Sequence, residues 1–208
     1  MPRQLIVIAT LVGCFSLVAF FWSGRSRFRK PDDVIRLDSN DATAYHNRGI
    51  AWVGKGDFDK AITDFTKAIR LDPNYSTAYF NRDNVWANRG GLDKDITDFT
   101  EAIRLTPNYT VAYNNLAWLI ATCPHSEFRN GPKAVEYANK ACELTGWRDA
   151  RAVSTLAAAY AEVGDFQNAL EQQEKAIALL TKDSDQQVMR ERLEFYKAGK
   201  PYRDMPKK

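Results

Sequence analysis

Residues that build metal sites or disulfide frameworks are scarce in this sequence. Of its 208 residues, three are cysteines and two are histidines. Three cysteines spread over a chain of this length give no disulfide framework. Cys123, His125 and Cys142 lack a fourth ligand and the paired spacing that is typical of zinc sites, so we expect no metal at these residues.

Motifs of enzyme chemistry are missing as well. The sequence has no nucleophile elbow, no phosphate-binding glycine loop and no dinucleotide-binding fingerprint. His46 and His125 lie in different segments and have no evident catalytic partner. We therefore predict that the protein is not an enzyme and uses no cofactor.

Acidic residues are absent from residues 1–30, which carry five basic ones. The net charge of +3 for the whole chain, less this +5, leaves −2 for residues 31–208. A strongly basic domain is the usual mark of nucleic-acid binding, and a remainder this close to neutral does not have it. We therefore expect no nucleic-acid partner.

Charge is also absent from residues 5–22, an apolar run of 18 residues. As a helix this run would be about 27 Å long, close to the thickness of the hydrocarbon core of a bilayer. It predicts a single-pass membrane anchor within residues 1–30, with the basic residues at 25–30 as its flank. Two alternatives stay open: a cleaved secretory signal, and a lipoprotein, because residues 11–14 resemble a bacterial lipobox that ends in Cys14.

The charges on either side of this run bear on its orientation. Four basic residues follow it, against Arg3 and the amino terminus before it. By the positive-inside rule, this small excess favours a cytoplasmic location for the rest of the chain.

A 34-residue repeat organises the remainder of the sequence. Residues 62–81 and 96–115 are identical at 15 of 20 aligned positions. Self-similarity at this period is typical of stacked helical arrays. Two helices of about 13 residues, each followed by a turn, fill one period. One such pair cannot bury its apolar face alone, so neighbouring pairs must stack.

The pattern inside one period indicates where a helix begins and ends. Phe58, Ile62 and Phe65 are spaced for one face of a helix. Asp57 can cap the start of that helix, and Pro73 cannot continue it.

Several residue types recur together at this period. In the first repeat they are Tyr45, Gly49, Trp52, Ala61, Phe65, Ala68 and Pro73, and in the last they are Leu156, Ala157, Tyr160, Gly164, Phe166, Ala169 and Ala176. This set resembles the tetratricopeptide repeat (TPR) family. The resemblance implies an all-α fold, a TPR α-solenoid of about four helix-turn-helix repeats. The apolar run at 5–22 predicts a transmembrane helix before it, and the helical spacing of apolar residues after 183 predicts a C-terminal capping helix. The predicted segments are a half-repeat cap at 31–41, repeats at 42–75, 76–109, 110–149 and 150–183, and a capping helix and tail at 184–208.

The second repeat departs from the family pattern where its two helices approach most closely. The family has small residues there, as at Gly49 and Ala61, but Asp83 and Asp95 stand in the second repeat. Two carboxylates at a helix crossing would repel each other and be poorly solvated. We expect this repeat to be the least stable one; a paired acid or cation site is the alternative. Three nearby basic residues are candidates to neutralise the aspartates: Arg82, Arg89 and Lys94.

The first helix of each TPR lines a concave wall, and the resemblance places Asn47, Asn81 and Asn115 on it at equivalent positions. They resemble the asparagine ladder of superhelical TPR proteins, in which amides donate and accept hydrogen bonds along an extended peptide. The neighbouring wall positions are His46, Ile50, Phe80, Asn84, Asn114 and Trp118. Alternatively, Phe80 and Trp118 pack on neighbouring helices, and the asparagines are copied repeat residues without a binding role.

Other segments add detail around the repeats. Residues 123–131 interrupt the third repeat, and insertions of this kind often decorate a binding edge. Cys142 falls on an apolar helix face and is predicted to lie in the core. Ser184 and Gln187 predict a capping box at the start of the last helix, and we expect residues 202–208 to be loose.

The predicted function is a membrane-tethered scaffold that binds a peptide or protein partner in the TPR groove. A stacked wall presents amides and aromatic rings in fixed geometry, so little order is lost on binding. The wall lacks the lysines with which some TPR domains hold an acidic C-terminus. The alternatives are self-association through the convex or end surfaces, and a lipoprotein anchored through Cys14.

Overall fold

The computed structural model describes residues 40–87 and 91–204. The predicted anchor at 5–22, its basic flank at 25–30, Cys14 and the half-repeat cap at 31–41 fall outside these residues, apart from positions 40 and 41. Among the described helices, none is both long and apolar enough to span a bilayer.

The described part of the chain is all-α, with nine helices and no strand. A 3-10 turn, Ser126–Phe128, lies between the fifth and sixth helices. The helices are α1 (Ala42–Gly54), α2 (Phe58–Leu71), α3 (Ser76–Ala87), α4 (Leu92–Leu105), α5 (Thr110–Thr122), α6 (Gly131–Leu144), α7 (Ala150–Glu162), α8 (Phe166–Ala178) and α9 (Asp183–Lys197).

Local sequence signals set most of these helix ends. Asp57 caps α2 by accepting a hydrogen bond from the Lys60 amide, as predicted, and α2 ends two residues before Pro73. Gly164 adopts a φ of +81° in the turn between α7 and α8, a conformation that residues with a Cβ rarely adopt. The predicted capping box on the last helix is wrong, because α9 begins after Lys182 and has no side-chain cap.

Successive helices pack as antiparallel pairs, and each pair packs on the next. The pairs are α1 with α2, α3 with α4, α5 with α6, and α7 with α8, and α9 packs on α8. The close approach inside a pair depends on small residues. A Cβ added to Gly49 would lie 2.6 Å from Cε1 of Phe65, and Ala61, Ala134 and Ala169 are completely buried. The stacked helix pairs therefore form the predicted solenoid.

Buried apolar residues in the described part form two clusters rather than one continuous seam. The smaller cluster contains Ala61, Phe65 and Val85. The larger one extends from Phe99 through α5–α8 to Tyr196 in α9. The boundary between the clusters lies in the second repeat, because Val85 of α3 belongs to the smaller cluster and Phe99 of α4 to the larger one. The set of buried apolar residues is interrupted there.

Two carboxylates occupy this interruption. Asp83 and Asp95 are both 0% exposed. Burial, together with the negative charges of Asp98 and Asp93, raises the pKa of Asp95 to about 7. The second repeat thus buries acidic groups where the first repeat buries Gly49 and Ala61.

Two of the three basic residues predicted to neutralise these aspartates, Arg82 and Lys94, contact other groups. Arg82 forms a bidentate ion pair with Asp98 and also donates to the hydroxyl of Thr66. The ammonium group of Lys94 lies 4.0 Å from the centre of the Trp86 ring. Arg89 falls outside the described residues. The prediction that Arg82 neutralises the two aspartates is therefore wrong, because its guanidinium group pairs with Asp98.

Candidate protein-interaction face

The first helices of the repeats, α1, α3, α5 and α7, present the surface that carries the predicted wall residues; we call it the first-helix face. Helix α1 contacts α3, and α5 contacts α7. On α1, Asn47 is exposed and the side chain of Ile50 is 43% exposed. This end of the face therefore offers an amide and an aliphatic group to solvent.

His46 is buried and joins the first repeat to the second. Its Nε2 lies 2.8 Å from the side-chain nitrogen of Asn81, and its Nδ1 lies 3.2 Å from the hydroxyl of Tyr75. An amide nitrogen can only donate, so Nε2 accepts and the ring is neutral. Burial lowers the pKa of His46, and a hydrogen bond with Asn47 partly offsets this. The Asn81 amide thus serves the fold as well as the surface.

Phe80 and Asn84 lie on α3, the first helix of the second repeat. The centre of the half-buried Phe80 ring lies 6.0 Å from that of Phe99 and 5.0 Å from that of Tyr109. The side-chain nitrogen of Asn84 donates to the backbone carbonyl of Phe80 at 2.9 Å. Phe80 therefore packs on aromatic rings of its own repeat, while Asn84 binds the backbone of its own helix.

Asn114 and Asn115 lie side by side on α5 and have unused hydrogen-bonding capacity. The Asn114 side-chain nitrogen donates to Oδ1 of Asn115 at 3.4 Å, a long contact. The other two side-chain polar atoms, Oδ1 of Asn114 and Nδ2 of Asn115, make no hydrogen bond to any described residue. Both of these atoms are buried, so a ligand does not reach them in this arrangement of the two side chains.

Trp118 is covered by the C-terminal segment of the same chain. Its Nε1 donates to the carboxylate of Asp204 at 2.8 Å. The Tyr202 ring lies against it with a centre-to-centre distance of 5.8 Å, and the guanidinium carbon of Arg192 lies 4.3 Å from the indole centre. The expectation of a loose tail is therefore wrong for residues 202–204, because these residues have specific partners on the first-helix face.

The same segment makes further contacts with α5 and α7. The amide of Asp204 donates to the carbonyl of Thr122 at 3.0 Å, and Arg203 donates to the carbonyl of Ala121 at 3.2 Å. Arg203 also forms a 2.6 Å ion pair with Glu162, the last residue of α7. Reasoning from the sequence missed these partners, although the succession of an aromatic, a basic and an acidic residue was a signal.

The insertion at 123–131 supports this region. Arg129 binds Glu162 at 2.9 Å and donates to the carbonyl groups of Cys123 and Pro124. Cys123 and Cys142 are both buried, Cys142 completely, as predicted for the latter. No group of three or more histidine, cysteine or carboxylate side chains within the described residues is placed to hold a metal ion.

The fold thus brings some of the predicted wall residues together and separates others. His46 contacts Asn81, Asn114 contacts Asn115, and Trp118 contacts the C-terminal segment. Asn47, Asn81 and Asn115 lie on successive first helices, as their spacing predicts, and their environments differ: Asn47 is exposed and the other two are half-buried.

Comparison with known repeats and structures agrees with this architecture. Residues 42–75 and 150–182 each match a model of the tetratricopeptide repeat. No curated protein matches the sequence. The chain therefore contains TPR repeats at both ends of its solenoid.

Several solved structures share the fold at low sequence identity. The structure of MamA from Desulfovibrio magneticus RS-1 aligns with a TM-score of 0.66 and 19% identity, over 78% of this chain and 86% of that one. A crystal structure of MamA aligns with a TM-score of 0.63 and 22% identity, over 72% and 84%. A chain of the APC/C heterotetramer Cut9–Hcn1 aligns with a TM-score of 0.62 and 20% identity, over 81% of this chain but 32% of that one. These similarities identify the fold as an all-α TPR solenoid.

Proposed function

We propose that the protein is a membrane-tethered TPR scaffold that binds an extended peptide segment of a partner protein on its first-helix face. The observation that carries the proposal is the recurrence of an asparagine at one position of three successive first helices: Asn47, Asn81 and Asn115. A side-chain amide both donates and accepts hydrogen bonds, as does each residue of a peptide backbone.

The groups around these asparagines suit a peptide ligand. Asn47 and Ile50 are exposed at the N-terminal end of the face, and Asn81 lies between that end and Asn115. A helical solenoid holds such groups in fixed positions, so binding costs less conformational entropy than binding to a flexible loop. The ladder interpretation of Asn47, Asn81 and Asn115 is part of this proposal.

The membrane tether is a second element of the proposal. It rests on residues 5–22, which contain no charge and have the length of a bilayer span, and on the basic flank at 25–30. A tethered scaffold would keep its partner near the bilayer, with the repeats on the cytoplasmic side. Membranes from cells that express the full chain should retain it after a carbonate wash, whereas deletion of residues 5–22 should release it.

The binding face is tested by affinity capture from detergent-solubilised cells. The Asn81→Ala/Asn115→Ala variant should lose the captured partner at unchanged expression. Asn81 also contacts His46, so Asn114→Ala/Asn115→Ala provides a second variant that leaves that contact intact. Asn108→Ala is the matched control, since it removes an exposed amide from the turn before α5. Full capture by both double variants would contradict the proposal.

Self-association is a second candidate, and exposed apolar residues favour it. Trp147 is 45% exposed and Leu179 is 42% exposed, and both line one shallow cavity beside α8. Exposed apolar groups that lie together often mark protein contacts. If this surface joins copies of the chain, Leu179→Glu should reduce the molar mass measured by light scattering. Partner capture on the first-helix face should then be unaffected.

A further inference from the structure

The C-terminal residues 202–204 lie on the first-helix face in the manner of a bound peptide. Each of the three residues makes a different kind of contact. Tyr202 packs on the Trp118 ring, Arg203 pairs with Glu162, and Asp204 accepts from the Trp118 indole. The segment also donates a backbone hydrogen bond, from the amide of Asp204 to the carbonyl of Thr122.

The surface that receives this segment is built by the repeats and by α9. Trp118 and Thr122 belong to the last two turns of α5, and Glu162 ends α7. Arg129 of the insertion holds the other oxygen of the Glu162 carboxylate, which orients it toward Arg203. Arg192 of α9 completes the surface, with its guanidinium carbon 4.3 Å from the Trp118 ring and 5.4 Å from the Tyr202 ring.

A turn after α9 directs the segment onto its own repeats. Gly199 has a φ of +63°, and its amide donates to the carbonyl of Tyr196 at 3.0 Å. The amide of Lys200 donates to the carbonyl of Phe195 at 2.9 Å. These hydrogen bonds fix the direction of residues 201–204 within one molecule. They favour occupation by the chain itself over exchange of the segment between copies.

We propose that Trp118, Thr122 and Glu162 form a recognition site for a partner segment with an aromatic residue, an arginine and a carboxylate in succession, and that residues 202–204 occupy this site until such a segment displaces them. This inference rests on the proposed function, because it assumes that partners bind on the first-helix face. It adds the chemistry of the partner: a tyrosine-like ring for Trp118, a cation for Glu162, and an anion for the indole N–H.

The internal segment acts as a competitor with a high effective concentration. A short linker holds a tethered ligand near its site at about millimolar concentration. The apparent affinity for a free segment equals its intrinsic affinity multiplied by the fraction of molecules whose site is empty. Weakening the internal segment should therefore tighten binding of a free peptide with the same sequence.

The test uses a fluorescein-labelled peptide of residues 198–208 and the full chain in detergent, with binding measured by fluorescence anisotropy. The Tyr202→Ala/Asp204→Ala variant should bind this peptide about tenfold or more tightly than the wild type. Lys200→Ala is the matched control, since it changes an exposed side chain in the preceding turn, and it should bind like the wild type. Adding Trp118→Ala to the double variant should abolish binding.

Substitutions in the peptide give a second measurement that cannot unfold the protein. Peptides with Tyr202→Ala or with Asp204→Asn should each bind the double variant at least about fivefold more weakly than the natural peptide, because each loses one anchoring contact. The inference is overturned if the double variant binds no better than Lys200→Ala, or if the substituted peptides bind as well as the natural one. Should the double variant fail to fold, the single variant Asp204→Ala, which also weakens the internal segment, takes its place under the same criteria.

Two further results separate this inference from the others. Suppose that partner capture depends on Asn114 and Asn115 but the peptide does not bind. The proposed function would then stand, and only the recognition site at Trp118, Thr122 and Glu162 would be refuted. A concentration-dependent dimer that disappears in the Tyr202→Ala/Asp204→Ala variant would assign the site to the tail of a second copy. That outcome would also overturn the inference.

Discussion

Arg48 donates two hydrogen bonds to the carboxylate of Asp64, at 2.6 and 2.7 Å. Arg82 and Asp98 repeat this arrangement 34 residues later, at 2.8 and 2.7 Å. In both repeats the arginine lies on the first helix and the aspartate on the second, and both aspartates are buried. This bidentate ion pair therefore links the two helices of a repeat.

Removing one partner of the Arg48–Asp64 pair should destabilise the fold. Asp64→Ala leaves a partly buried guanidinium group without its main acceptor, and a loss of about 3 kcal/mol in the free energy of unfolding is expected. Urea denaturation followed by circular dichroism measures this. Glu136→Ala, which removes an exposed ion pair with Lys133, is the control and should leave the midpoint unchanged. Equal midpoints for the two variants would contradict the prediction.

The raised pKa of Asp95 should make stability depend on pH. The native carboxyl has a pKa of about 7, against 3.8 for an unperturbed aspartate. Between these values the native state holds a proton that the unfolded chain releases, so the free energy of unfolding falls as pH rises from 4 to 7. The shift corresponds to about 4 kcal/mol over this window.

The Asp95→Asn variant isolates this effect from the other carboxylates. The stability of the variant relative to the wild type should increase as pH rises, and the increase should level off above pH 7. Thermal melts at pH 5, 6, 7 and 8 provide the comparison. A difference between the two proteins that stays constant with pH would show that Asp95 titrates normally.

Replacing both buried aspartates should stabilise the second repeat. Asp83→Gly with Asp95→Ala restores the small residues that Gly49 and Ala61 provide in the first repeat. The change removes two buried carboxylates, and a rise of about 5 °C in melting temperature at pH 8 is expected. Thr97→Ala, at an exposed and uncharged position of the same helix, is the control. An unchanged or lower melting temperature in the double variant would count against the idea.

The close approach of α1 and α2 should make Gly49 intolerant of a side chain. An added Cβ would meet the buried Phe65 ring at 2.6 Å, and the repacking should cost about 1–3 kcal/mol in the free energy of unfolding. Gly54→Ala is the matched control on the same helix, because no atom lies within 4 Å of its added Cβ. That variant should be as stable as the wild type or slightly more stable, since alanine favours a helix. Denaturant titrations of both proteins distinguish the two positions.

The helical repeat could be predicted from the sequence because its signals are local and periodic. A 34-residue offset gave the stacking unit, and Asp57 and Pro73 marked the ends of α2. The partner of Arg82 was within reach of the same reasoning. Arg48 and Asp64 are 16 residues apart, as are Arg82 and Asp98, and both pairs obey the repeat. We instead assigned Arg82 to Asp83 and Asp95.

The site on which residues 202–204 lie could not be predicted in this way. Trp118 and Asp204 are 86 residues apart and belong to no common period. Their contact depends on how far α9 carries the chain and on the turn at Gly199, which are properties of the packed structure. Periodicity identifies residues on a common face, but it does not reveal which of them another segment of the chain will cover.

The division of the apolar core at the second repeat has a mechanical consequence. If the chain is pulled from its N-terminus, the small cluster around Phe65 should unfold first, because it contains only three of the buried apolar residues in the described part of the chain. The larger cluster should stay folded at that force, with Tyr202 still packed on Trp118. Extension in an optical trap should then proceed in two steps, and the shorter and weaker step would report the unfolding of α1 and α2.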